Sequence, residues 1–123
     1  MNDGVVSAEL EPLIKIRLVG IGAQEHEIEA IIDTGFNGHL SLPVEQIESL
    51  GWPVRGEETT IFGDGREAPM DMYRGIVLWR GSPRLIFAMA ARLTPVIGTG
   101  LLQGNRLEIE FKSGGSVNII PLA

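Results

Sequence analysis

Asp33 stands where a carboxylate can be put to chemical use. The run Ala30-Ile31-Ile32 before it is apolar and largely β-branched, the composition of a buried strand end. Thr34-Gly35 follows, and glycine permits a sharp turn. The acid is therefore carried on a short loop with buried backbone beneath it. Asp and Gly are also common turn residues, so the tripeptide alone is weak evidence. One carboxylate is a limited hydrolytic tool, whereas two that share a proton are a strong one. Like charges about 3 Å apart cannot both ionise, so one stays protonated. The ionised member activates water and the protonated member polarises the carbonyl under attack.

No second Asp has this setting. Asp64 and Asp71 fall in a predicted hairpin, and Asp3 lies near the N-terminus. A chain with one such motif completes a pair by meeting its own copy, with a two-fold axis bringing Asp33 against Asp33. A second stretch, Pro95-Val96-Ile97-Gly98-Thr99-Gly100-Leu101-Leu102, again runs a buried strand into glycine.

The elements that must hold these residues are mostly strands. Leu13 to Val19 alternates apolar with basic, the period of a half-buried strand. Glu27 to Ile32 forms its hairpin partner and delivers Asp33. Leu40-Ser41-Leu42 is a short strand. Pro43 suits a first helical position, with Val44, Ile47 and Leu50 on one face and Gly51 at the end. Strands are predicted at 57–62, 70–79, 84–90, 96–98, 106–111 and 117–120, with a short helix at 100–104. Gly63-Asp64-Gly65-Arg66 is a hairpin turn. Residues 1–11 show no periodicity and read as a loose arm, and 12–123 as a single domain. The fold class is all-β, a small closed β-barrel with one or two short helices.

Composition narrows the function further. Sixteen acidic against ten basic residues give a formal charge of −6 with no basic cluster, which argues against nucleic acid or anionic membrane as partner. The absence of cysteine excludes disulfides, thiolate catalysis and cysteine-ligated metals. The region from Leu85 to Leu102 is interrupted by Arg92, Pro95 and two glycines, so no membrane-spanning helix is expected there. The first residues lack a basic segment followed by an apolar core. A cytoplasmic protein with no metal and no cofactor is the expectation.

Asp33-Thr34-Gly35 with Phe36-Asn37-Gly38-His39-Leu40-Ser41-Leu42-Pro43, and the later Ile97-Gly98 before a short helix and an alternating strand to Phe111, resemble the retropepsin-like single-domain aspartic proteases, especially small cellular members. The likeness covers about residues 12 to 121. It implies the acid-protease fold, a homodimer that shares its active site, and hydrolysis of peptide or protein substrates. It makes Asp33 the catalytic carboxylate. Thr34 would fix the two loops across the dimer axis, and Gly35 would bring its backbone close to water and substrate. The hairpin tip Gly63-Asp64-Gly65-Arg66 becomes a flap over an extended peptide. Phe36, Phe62, Gly63, Asp64, Gly65 and Ile97 are the expected substrate contacts. Pockets under such a flap, built from residues like Ile61, Phe62 and Met72, would favour apolar side chains.

The chain departs from many active members at Phe36, where they have a small residue. Phe36 either lines the pocket or marks an altered site. The rival readings are a non-catalytic homodimeric binding or scaffold module with the same fold, and a monomeric barrel in which Asp33 only turns the chain. His26 and His39 have no carboxylate cluster at ligand spacing and read as solvated histidines. Trp52 and Trp79 read as core or edge residues.

Overall fold

The structure is a computed structural model that describes residues 3–61 and 63–123. Its strands are β1 (Gly4–Val6), β2 (Pro12–Val19), β3 (Glu25–Ile32), β4 (Leu40–Ser41), β5 (Val54–Ile61), β6 (Glu67–Trp79), β7 (Ser82–Met89), β8 (Val96–Ile97), β9 (Asn105–Ile109) and β10 (Ser116–Pro121). Two short helices, α1 (Val44–Leu50) and α2 (Thr99–Leu102), interrupt them. The described strands join in the order β5-β6-β7-β4-β8-β3-β2-β1-β10-β9, and β6 also pairs with β2. That extra pairing closes β6, β7, β4, β8, β3 and β2 into a ring.

Period-2 patterning decides which face is buried. Along β2, Ile14, Ile16 and Leu18 are buried, while Lys15 and Arg17 are exposed. Arg17 reaches Glu25 and Glu27 of β3, each at 3.7 Å. Leu18, Ile86, Val77, Leu40 and Ile97 lie fully inside the core. Each buried side chain of this size contributes about 1.5–3 kcal/mol relative to its exposed state. Trp52 belongs to the same core and donates its indole N–H to the Val19 carbonyl at 2.9 Å. The helix predicted at 43–50 begins one residue later, with Pro43 as its N-cap. Ile47 and Leu50 are buried, but Val44 is exposed. Gly51 ends the helix at φ 72°, a conformation that favours glycine.

Part of residues 1–11, read as a loose arm, is a strand. Residues 4–6 form β1, between β2 and β10. Val6 is 1% exposed. Asp3 accepts the Ile119 N–H at 2.6 Å and faces Arg80 at 3.4 Å. A three-residue strand carries too little pattern to be legible, and its partners lie elsewhere in the chain. No helix among the described residues is long and apolar enough to cross a membrane.

Candidate active site

The Asp33 loop hangs between two strands that the chain reaches much later. β8 lies between β3 and β4, parallel to β3 (Ile31 with Val96, Ile32 with Ile97) and antiparallel to β4 (Leu40 with Ile97, Ser41 with Val96). The Asp33 N–H donates to the Ile97 carbonyl at 2.9 Å, so β8 carries the Asp33 loop on its backbone. The Phe36 N–H returns to the Asp33 carbonyl at 3.1 Å and closes the turn. From the other side, Thr99 N–H donates to the Phe36 carbonyl (2.8 Å), and Gly100 N–H to the Gly38 carbonyl (3.1 Å). The loop is thereby held at both ends by residues 97–100.

Asp33 itself is partly exposed. Its Oδ1 accepts the Gly35 N–H at 2.8 Å, and its Oδ2 accepts from Arg92 Nη2 at 3.2 Å. The need for glycine at 35 differs from the sequence expectation. Gly35 is not among the positive-φ glycines; instead a Cβ there would sit 3.1 Å from Asp33 Oδ1. The constraint is close approach of backbone to carboxylate, not unusual dihedral angles. Thr34 is exposed beside it.

Two concavities flank this loop. A cleft of about 380 Å³ lies beside β5, lined by Gly35, Phe36, Gly38, Ser41, Met89 and Arg92 together with Glu58, Thr60, Ile61 and Gly63. A more open groove of about 510 Å³ lies on the far side, where Asp33 and Thr34 meet Glu11, Ile31, Ile109 and Phe111. Arg92 lines both. The large exposed side chains Leu93 and Phe111 stand at this end, 95% and 64% exposed.

Of the expected substrate contacts, the structure brings Phe36 and Gly63 to the cleft, beside Gly35 of the expected catalytic trio. Asp64 and Gly65 are exposed at the hairpin tip, where Asp64 Oδ1 accepts the Arg66 N–H at 2.9 Å, and they do not line it. Ile97 is corrected: it is 0% exposed, buried beneath the loop it supports. Phe62 lies outside the described residues. The expectation of an apolar site is not matched by the lining. Ile61 and Phe36 contribute, but Met72 lines a separate concavity with Phe87 and Arg55, while Glu58 and Arg92 bring charge into the cleft.

His39 is not the solvated histidine expected. It is half-buried, and its Nδ1 accepts the Phe87 N–H at 3.1 Å. It is also where a Cβ on Gly100 would collide. Burial lowers its pKa below the ordinary value, and the guanidiniums of Arg84 and Arg74 push the same way. Arg84 donates to the Leu101 and Gly100 carbonyls at 3.0 and 3.3 Å, and Arg74 lies over the Phe87 ring at 4.6 Å. His39 therefore couples β7 to the loop that follows Asp33, as a neutral acceptor. Because its folded pKa is depressed, the stability it contributes is complete above the unfolded value of 6.5 and is lost as pH falls through the folded value. Urea unfolding of the wild type should show this loss below pH 6.5, and His39→Asn, which keeps an acceptor but does not titrate, should flatten it.

Ser41 is the buried polar residue of the core, 0% exposed. Its hydroxyl oxygen accepts the N–H groups of Ala91 and Arg92, each at 3.1 Å. It sets the path of the loop that carries Arg92. Ser41→Ala should destabilise the protein by about 1–3 kcal/mol in urea titrations, because both amides lose their acceptor. Faster hydrogen exchange at 91 and 92 should accompany the loss. Neither Ser41 nor Arg92 was legible as a site residue. Their only signal was a serine inside an apolar strand and an arginine interrupting an apolar run.

No family model matches the sequence, and no curated protein matches it. Among solved structures, the chain is similar to a retropepsin-like aspartic protease from Rickettsia conorii, at 15% identity and a TM-score of 0.64, over 97% of this chain and 91% of that one. The fold is retropepsin-like: mostly strands, with two short helices and a loop-bearing β3–β8–β4 core.

Proposed function

We propose that this protein is an aspartic endopeptidase whose active site forms when two copies meet at Asp33. The observation that carries this reading is the mounting of Asp33. It sits at a strand end with Oδ1 held by the Gly35 amide, its backbone hung on β8, and the loop that follows opening into a hairpin-covered cleft. The second carboxylate comes from the partner, with Thr34 at the contact and the open groove beside it, including Ile109 and Phe111, as the docking face. An extended peptide lies under β5. The ionised Asp33 takes a proton from water as the water oxygen adds to the carbonyl carbon, the protonated one donates to the carbonyl oxygen, and the tetrahedral intermediate collapses by breaking the C–N bond with a proton delivered to the leaving amine.

A non-catalytic module of the same fold is the second reading. It is favoured by Arg92, which occupies Asp33 Oδ2 in the single chain, and by the Phe36 ring packed over Gly38 and Gly98. Incubation with an unfolded protein from about pH 4 to pH 7, the range in which a carboxylate pair can hold one proton, decides between them. Sedimentation should give the mass of two chains and fragments should appear. Folded dimer that yields no fragments at any pH would support the module. A single-chain mass at micromolar concentration would overturn the shared site.

A further inference from the structure

Arg92 is the charged group that the hydrolytic reading leaves without a task. Its guanidinium grips a carboxylate within the site, that of Asp33, at 3.2 Å. The side chain is 52% exposed, so water competes for the pair. The backbone that carries it is fixed by the fully buried Ser41 hydroxyl, which accepts from both Ala91 and Arg92. A planar guanidinium on a fixed anchor suits a carboxylate at short range.

For Asp33 to act, Oδ2 must turn to water and to the second carboxylate, and Arg92 must let go. An exposed ion pair of this kind is weak and is given up readily. The released cation then faces the cleft, where an apolar side chain leaves it unpaired, a basic one repels it and a carboxylate replaces what it lost. Glu58 lines the same cleft and forms no ion pair among the described residues. It confines an acidic side chain to the Arg92 side.

We propose that Arg92 determines specificity, and that the cleft selects peptides carrying an Asp or Glu side chain beside the scissile bond. The inference rests on the peptidase reading for its substrate, but its test does not. Matched peptides with Glu, Leu or Lys next to the cleaved bond are assayed with the wild type, Arg92→Gln and Arg92→Lys. The Glu peptide should exceed the Leu peptide about tenfold in kcat/KM, the scale of one charge-assisted contact. Arg92→Gln should erase the ratio mainly through KM, and Arg92→Lys should restore part of it. A ratio near one in the wild type, or a ratio unchanged in Arg92→Gln, overturns the proposal.

Binding separates the two readings. Asp33→Asn protein, in which Arg92 has lost its internal carboxylate, is titrated with the same peptides by fluorescence anisotropy. Tighter binding of the Glu peptide by about tenfold, lost when Arg92→Gln is added, sustains the Arg92 inference even if the wild type cuts nothing, and then only the peptidase reading falls. Equal binding of the Glu and Leu peptides overturns the inference whether or not cleavage is seen.

Discussion

Asp33→Asn should lower peptide cleavage by roughly 10³-fold or more while leaving the protein folded. The substitution keeps the shape of the side chain, and the amide oxygen can still accept the Gly35 N–H that now meets Oδ1 at 2.8 Å. In the proposed mechanism it removes the charge that activates water and the proton that a carboxylate pair shares. The backbone bonds that hold the loop, from Asp33 N–H to Ile97 and from Phe36 N–H to Asp33, do not involve the carboxylate. Urea midpoints of mutant and wild type should therefore lie close together.

The same variant tests whether two copies contribute. When equal amounts of wild type and Asp33→Asn are allowed to exchange subunits, about half of the dimers are mixed and about a quarter are fully wild type, by random pairing. If each site needs both carboxylates, total activity falls to about half that of the wild type alone at its own concentration. If each chain acts independently, activity does not fall. A mixture whose rate equals the wild-type rate would sink the shared site even if Asp33→Asn alone is dead.

Gly98→Ala should be a strongly damaging small change beside the Asp33 loop. Gly98 has φ −104° and ψ 177°, extended backbone that any residue adopts, so no conformational freedom is at stake. The requirement is space. A Cβ at this position would collide with the carbonyl oxygens of Gly38 and Phe36 and with the Phe36 ring. Backbone oxygens cannot move aside without breaking the bonds that tie loop 36–39 to residues 98–100. Overpacking of this kind costs about 2–3 kcal/mol. It should lower Tm by roughly 10 °C for a chain of this size. Activity should fall further than stability accounts for, because the displaced residues carry Asp33. Gly104→Ala is the contrast. Gly104 has φ +86° and nothing within 4 Å of a Cβ, so it should cost only about 1 kcal/mol in backbone strain and leave cleavage intact. Calorimetry that ranks Gly104→Ala as the worse of the two would refute the steric account.

Much of this protein was legible from local pattern. The alternation in Leu13 to Val19, the apolar approach to Asp33, the Gly-Asp-Gly turn and the amphipathic stretch ended by Gly51 each set one element with little help from the rest. Residues 95–102 were also legible as a second buried strand running into glycine. Hydrophobic period and turn chemistry are short-range properties, and they survive in a single sequence.

What only the tertiary structure decided depends on distance across the fold. β1 exists because β2 and β10 offer it two open edges, which three residues cannot announce. Ile97 looked like a pocket residue beside the glycines, yet its place between β3 and β4 puts it wholly inside. His39 is a half-buried acceptor because β7, 48 positions away, brings the Phe87 amide to it. Arg92 meets Asp33 across 59 positions, through a loop whose course is set by two hydrogen bonds to one buried serine. A side chain's neighbours along the chain determined which strand it joined; the closing of the ring determined what it touches.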